Sequence, residues 1–259
     1  MTRLLEDRTA VIYGAGGAIG GAVAQAFARE GAQVFLTGRR LAPLERVATE
    51  IKRAGGAARV GQVDALDEAA IERHLDQVVE EAGRVDIAFN AVGFDEVQGV
   101  PLVDLSLKDF ASPIASWSQT VFLTSRGAAR RMIKQGSGVI LTVMPAAAGT
   151  GLASGFGAAC ATVDSISRTL AAEVGPYGVR ALILQPNALP ESDALQASFA
   201  KYAKGLGTKP EDAITELANS TLLKRLPTLA DVGNIAAFVA SDKAWAMTGT
   251  VVRIDCGSS

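Results

Sequence analysis

The chain is 259 residues long, carries a formal net charge of −2 and is 49% hydrophobic. That is enough for one large α/β domain with a substantial core, and too apolar for a disordered chain. The near-neutral balance gives no electrostatic footprint for nucleic acid or an anionic membrane. Two cysteines, Cys160 and Cys256, are too few for a disulfide framework, and a single histidine, His74, without ligand-like spacing argues against a protein-built metal site.

Met1 to Arg8 hold two arginines and two acids around no apolar core, unlike a signal peptide, so the expected compartment is the cytoplasm. Thr9–Tyr13 is a short apolar run ending at glycine and reads as a buried strand. Ala18–Glu30 follows as a helix stopped by Gly31, and Gln33–Thr37 is a second strand. Leu44, Val47, Ala48 and Ile51 recur at helical spacing and mark an amphipathic helix. Ala58–Val63 is a third strand; Ile71, Leu75, Val78 and Val79 form another helical stripe, beside which His74 reads as a surface histidine; Val85–Asn90 is a fourth strand. Ser112-Pro113 resembles an N-cap followed by proline in the first turn, predicting a helix from there to about Lys134. Val139–Val143, the alanine-rich helix Gly155–Val174 and the strand Val179–Gln185 come next. Leu189 to Leu223 is polar and irregular and reads as a lid. Asp231–Ser241 is a helix and Val251–Asp255 the last strand.

Two uncharged stretches, Ala10 to Ala28 and Gly136 to Val163, are interrupted by glycines and do not read as membrane spans. Strict βα alternation, without linker, repeat or low-complexity tract, predicts one domain over 1–259. The expected architecture is a single-domain Rossmann fold, a doubly wound parallel sheet with helices on both faces.

The first strand runs into Gly14-Ala15-Gly16-Gly17-Ala18-Ile19-Gly20. Glycines in a tight strand-to-helix turn let the backbone approach a diphosphate, whose charge suits the free N–H groups and dipole of the helix N-terminus. The plainer alternative is a tight turn that binds nothing. This loop is similar to the Thr-Gly-x-x-x-Gly-x-Gly motif of the short-chain dehydrogenase/reductase family. Gly14, Ile19 and Gly20 match; Ala18 stands for the middle glycine and Tyr13 for the threonine.

More of the family pattern follows in order. Val63-Asp64-Ala65 resembles its adenine-contacting Asp-Val, and Asn90-Ala91-Val92-Gly93 its Asn-Asn-Ala-Gly. Gln185-Pro186-Asn187 resembles the sixth-strand region, with Asn187 where glycine is usual. Thr248-Gly249 and Asp255-Cys256-Gly257 resemble the C-terminal Thr-Gly and Asp-Gly-Gly. The resemblance covers nearly the whole chain. It implies nicotinamide dinucleotide binding through Gly14, Gly16, Gly17, Ile19, Gly20, Asp64, Ala65, Asn90, Ala91 and Pro186.

An acid ending the second strand would accept hydrogen bonds from the adenosine ribose and select NAD. Here Gly38 is followed by Arg39 and Arg40, and a guanidinium pairs with a 2′-phosphate, which favours NADP over NAD. The alternative is that both arginines are solvated surface charges. Gly17 stands where many NADP-preferring relatives carry a second basic residue.

The family's usual machinery is an Asn-Ser-Tyr-Lys tetrad. Flanking residues place Phe156 at the tyrosine and Cys160 at the lysine, with Met144-Pro145 at the serine. Trp117 falls at the asparagine. Phe156 has no proton to donate, Cys160 supplies no fixed cation and Pro145 has no hydroxyl, so the ordinary carbonyl-reductase mechanism is not expected. Cys160 reads as a small buried residue rather than a reactive thiol. Of the three tyrosines, Tyr13, Tyr177 and Tyr202, only Tyr202 lies in the lid, where a surface role is favoured. Glu191 occupies a position where the family often has a threonine near the diphosphate, and a carboxylate there repels phosphate unless it turns outward.

Three functions stay open. The first is an NADP(H)-dependent oxidoreductase of atypical mechanism, acting on an already polarised small molecule. The second is a catalytically silent dinucleotide-binding regulatory protein, and the third a structural relative with an empty pocket. The helices Pro113–Lys134 and Gly155–Val174 correspond to the family's usual dimer-forming pair, so a homodimer or homotetramer is expected, with no nucleic-acid or membrane partner.

Overall fold

The structure is a computed structural model that describes residues 3–258, without the side chains of residues 193–195, 198, 199 and 202. The apolar runs form seven strands: β1 (Thr9–Tyr13), β2 (Gln33–Gly38), β3 (Ala57–Gln62), β4 (Ile87–Asn90), β5 (Gly138–Val143), β6 (Val179–Pro186) and β7 (Val251–Ile254). All neighbouring pairs are parallel, in the order β3-β2-β1-β4-β5-β6-β7. The central strands β1 and β4 are buried along their whole length, as a sheet covered on both faces requires.

Eight α-helices flank the strands in the described residues: α1 (Ala18–Arg29), α2 (Leu41–Arg53), α3 (Glu68–Ala82), α4 (Leu107–Gln135), α5 (Ser154–Val174), α6 (Asp193–Gly205), α7 (Pro210–Ser220) and α8 (Leu229–Ala240). Successive strand residues point to opposite faces, so β1 feeds two cores. Ile12 packs with Phe27, Leu44 and Val232 of α1, α2 and α8. Val11 and Tyr13 pack with Leu75, Ala128 and Ala171 of α3, α4 and α5. The chain is therefore a single-domain, doubly wound α/β fold. No helix among the described residues is long and apolar enough to cross a membrane.

Three expectations are corrected. The N-cap of α4 is Ser106, six residues before Ser112: its hydroxyl accepts the Asp109 N–H at 3.1 Å and donates to Asp109 Oδ2 at 2.7 Å. Ser-x-x-Asp is itself an N-terminal signal, and it captures the helix first. Pro113 then lies inside a 29-residue helix, which loses one backbone bond there. The stretch from Leu189 to Leu223 is largely helical rather than irregular. Pro210 opens α7 with Glu211 and Asp212 in the first turn, where fixed φ and negative charge both favour a helix start. Finally, His74 is 7% exposed, not a surface residue. Its ring packs on Phe35 and faces β3 at Gly61, and burial lowers its pKa to about 4.

Candidate active site

In an open parallel sheet, binding crevices form beyond the strand carboxyl ends where the winding direction switches. Here that point lies between β1, which continues to β2, and β4, which continues to β5. A groove of about 560 Å³ occupies it. Its walls include Gly14, Gly16, Gly17, Ile19 and Gly20 from the first loop, Arg39 and Arg40 after β2, Asp64 and Ala65 after β3, and Ala91 after β4.

The loop geometry requires glycine. Gly14 has φ +80°, and a Cβ there would lie 2.2 Å from Ala91 O; a Cβ on Gly20 would lie 2.3 Å from Gly14 O. The turn therefore brings three backbone segments together at the start of α1. Gly17 caps α1 without a side-chain hydrogen bond, and the first turn holds no acid. Its leading N–H groups and dipole thus face the groove without an anionic competitor. Arg39 and Arg40 are exposed, and neither enters an ion pair among the described residues. Gln62 Nε2 donates to Arg39 O at 2.9 Å, which anchors the arginine backbone at the groove's far end. Asp64 Oδ1 accepts the Leu66 N–H at 3.0 Å, turning the chain beneath the groove. A dinucleotide fits this arrangement: a bare helix N-terminus for the diphosphate, and guanidinium groups at one end.

Two of the proposed contact residues lie elsewhere. Asn90 is buried, and its Nδ2 donates to Ser125 Oγ at 3.0 Å and Thr142 Oγ1 at 3.3 Å, joining β4, α4 and β5 beneath the groove. Pro186 faces a second cavity. Glu191 does not face the groove: its Oε2 accepts the Leu229 N–H at 2.7 Å, so the carboxylate sits at the N-terminus of α8. Sequence reasoning missed the groove's other wall. Ser112, Ser116 and Thr120 of α4 line it, with Ser192 and Phe94. The hydroxyl spacing of four residues along α4 was the available signal.

The second cavity, about 540 Å³, adjoins the groove at Ile19 and runs beneath α6 and α7. The loop after β4 reaches this lid, with Gly99 packed against Gly205. Pro145 and Phe156 line the cavity, as do Glu96, Gln98 and Glu216. The Tyr202 side chain lies outside the described residues.

Trp117, Pro145, Phe156 and Cys160 come together beside this cavity as a packed apolar cluster. The Phe156 ring stacks on Trp117 with centroids 5.8 Å apart, and Phe94 stacks on Trp117 at 4.9 Å. Cys160 is fully buried and its Sγ donates to Pro145 O at 3.4 Å. Burial, reinforced by the nearby Glu96 charge, pushes the Cys160 thiol up to about 12, so it stays neutral at physiological pH. Phe156 and Pro145 carry no donor, the Cys160 S–H is directed at Pro145 O, the Trp117 indole N–H is not an acid, and none of the four supplies a fixed cation. No group of three or more metal-ligating side chains that could hold a metal ion occurs among the described residues.

A family model described as enoyl-(acyl carrier protein) reductase matches residues 14–259. The chain belongs to the short-chain dehydrogenase/reductase family. It is 30% identical over 265 residues to D-threitol dehydrogenase of Mycolicibacterium smegmatis, covering 98% of this chain and 93% of the relative. Among solved structures, NAD⁺-bound xylitol dehydrogenase shares the fold with a TM-score of 0.91 at 24% identity, covering 98% of this chain and 99% of that one. A 7α-hydroxysteroid dehydrogenase complexed with NADH and 7-oxo glycochenodeoxycholic acid matches with a TM-score of 0.85 at 26% identity, covering 99% and 96%. This family member is thus related to dehydrogenases and reductases along its entire described length.

Proposed function

We propose that this short-chain dehydrogenase/reductase family member is an NADP(H)-binding oxidoreductase of atypical mechanism, without the Asn-Ser-Tyr-Lys tetrad. The observation that carries the reading is the contrast between two neighbouring regions. The groove keeps its glycine turn, bare helix N-terminus and exposed arginines, while the adjoining reaction locus is filled by Phe94, Trp117 and Phe156.

A nicotinamide dinucleotide bound in the groove would supply or accept hydride. Gly14, Gly17 and Gly20 would admit its diphosphate, the N-terminal N–H groups of α1 would hold it, and Arg39 or Arg40 would pair with a 2′-phosphate. The related structures with NAD⁺ and NADH hold the unphosphorylated cofactor; the basic pair after β2 is what turns the preference here. Phe156 and Cys160 exclude water from the reaction locus and move no proton. The substrate is a small molecule held in the 540 Å³ cavity under the lid. A homodimer or homotetramer, formed through α4 and α5, fits the exposed Phe122 on α4.

The aromatic stack also favours a second reading, a catalytically silent dinucleotide-binding protein. Turnover separates the two. With NADPH present, a broad panel of acceptors is followed by NADPH absorbance. The oxidoreductase reading expects turnover of pre-polarised acceptors and little of unactivated ketones. NADPH binding with no turnover of any acceptor would leave the silent reading in its place.

A further inference from the structure

We infer that the cavity under the lid takes a quinone, a flat neutral acceptor whose two-electron-reduced anion is spread over an aromatic ring, rather than a simple ketone. The inference deepens the reading of this site as an oxidoreductase substrate pocket and rests on it. The walls are largely apolar, with Ile19, Ala147, Leu189, Pro190, Ile214 and Leu217 among them. No lysine, arginine or histidine stands among the described lining residues, so a carboxylate or phosphate on the substrate finds no counter-charge there.

At the reaction locus the wall is aromatic. Phe156 lines the cavity and is backed by Trp117, with ring planes 16° and centroids 5.8 Å apart. Phe94 backs Trp117 in turn at 4.9 Å and lines the groove. The stack therefore bridges the two spaces. A flat ring entering from the cavity adds a layer to it, and an electron-poor ring complements the negative faces of its aromatic neighbours. The donors at hand are weak ones. The Cys160 S–H is directed at Pro145 O. Thr150 and Thr208 line the cavity, and a hydroxyl donates a hydrogen bond to a carbonyl oxygen without acting as its acid.

Substrate chemistry follows from these walls. A simple ketone that takes hydride becomes an alkoxide, nearly as basic as hydroxide, whose conjugate acid has a pKa of about 15.7. Such an anion needs an acid or a cation beside it, and Phe156, Pro145 and Cys160 supply neither. A quinone forms a phenolate instead, whose conjugate acid has a pKa of about 10. The hydride pair makes an O–H bond at one carbonyl oxygen, the ring becomes aromatic, and the displaced π electrons end as a lone pair on the far oxygen. The hydride and its two electrons come from a reduced nicotinamide, which is oxidised. Water protonates the far oxygen afterwards, so no side chain moves a proton in the chemical step.

The test uses the full chain carrying Trp245→Phe. The chain has two tryptophans, and Trp245 is 77% exposed, so Trp117 becomes the single reporter, stacked on cavity-lining Phe156. The probes are duroquinone, whose methylated ring is blocked against thiol addition, and α-tetralone, an unactivated ketone with the same number of carbons. Titrated without cofactor, duroquinone is expected to quench Trp117 saturably, and Phe156→Leu to weaken its binding about fivefold through loss of the ring contact. With NADPH and without oxygen, duroquinone is expected to be reduced at least about 100-fold faster than α-tetralone, the ketone lacking its general acid. The reduction should show a solvent deuterium isotope effect near unity, because no proton is in flight. Failure to quench, binding indifferent to Phe156→Leu, α-tetralone reduced as fast as duroquinone, or a large solvent isotope effect overturns the inference. The quench and the isotope effect in the chain with Phe156 intact stand as tests even if Phe156→Leu does not fold. NADPH binding is measured by calorimetry on the same chain. Phe156-dependent quinone binding without NADPH binding defeats the cofactor reading alone. NADPH binding without duroquinone reduction defeats this inference alone.

Discussion

Restoring a proton donor at position 156 alone is expected to fail. Phe156 is 9% exposed, with Trp117 centred 5.8 Å away and Phe94 5.9 Å away. A tyrosine placed there keeps a pKa at or above about 10, because the aromatic surroundings desolvate its anion and no cation lowers it. General acid catalysis contributes ~10²–10⁴-fold only when the donor is matched to the working pH, so Phe156→Tyr should raise ketone turnover less than tenfold. Adding Cys160→Lys brings a cation beside the phenol, but into a fully buried site. Burial depresses a lysine pKa by up to ~3–5 units, and the longer side chain overpacks the cluster at a cost of about 1–3 kcal/mol. The double variant should therefore recover a trace, well below the full ~10²–10⁴-fold contribution. The assay is NADPH consumption over a panel of aldehydes and ketones, with thermal unfolding run alongside to establish that each variant is folded. Robust turnover by Phe156→Tyr alone, or by the unmodified protein on an unactivated ketone, would refute the reasoning; Tyr202→Phe would then show whether the lid supplies the proton.

Four further outcomes are expected. Arg39→Ala should erase the preference for NADPH over NADH in equilibrium titrations, and a preference that survives would remove the arginine from the account. His74 has its pKa lowered to about 4 from 6.5 by burial, so the unfolded chain binds the proton first. Its contribution to stability is complete above about pH 6.5 and is lost as pH falls to about 4, by up to about 3 kcal/mol; urea unfolding of the unmodified protein and His74→Leu should differ with pH in that window, and a pH-independent difference would contradict it. Tyr13→Phe removes a hydroxyl that is buried with no hydrogen-bond partner among the described residues, so stability should hold or rise by about 1 kcal/mol, whereas a clear loss in thermal unfolding would reveal a missed partner. Sedimentation at micromolar concentration should give a dimer or tetramer, and monomer alone would count against the α4–α5 interface.

Most of the fold was legible because hydrophobic period and glycine placement are local signals. β1 was read to the residue, and Leu44, Val47, Ala48 and Ile51 are the buried stripe of α2. Errors arose where two local signals competed. Ser112-Pro113 looks like a helix start, yet Ser106 and Asp109 form an earlier cap, and a long helix tolerates one lost bond. Polar composition hid α6 and α7; α6 packs against the loop after β4, where Gly205 meets Gly99. His74 was misplaced because a histidine between stripe positions Ile71 and Leu75 can turn toward the sheet, where Gly61 leaves room for its ring.

At the site, the glycine turn was legible because its glycines fall within seven residues and Gly20 is pressed by Gly14 itself, whereas the pressure of Ala91 on Gly14 comes from the end of β4. The roles of Glu96, Ser192 and the hydroxyl face of α4 were not legible, because they depend on where the lid and the loop after β4 come to rest. Nor did Glu191 announce its partner: the Leu229 N–H lies 38 residues along the chain.

The central claim is that the groove binds a dinucleotide and prefers the phosphorylated one. Calorimetric titration of the unmodified chain with NADPH and with NADH, at one ionic strength, tests it most directly. The account predicts saturable one-site binding of NADPH, on the order of tenfold tighter than NADH, as one charge-assisted contact to a 2′-phosphate supplies. Equal affinities, or no heat from either cofactor, would contradict it.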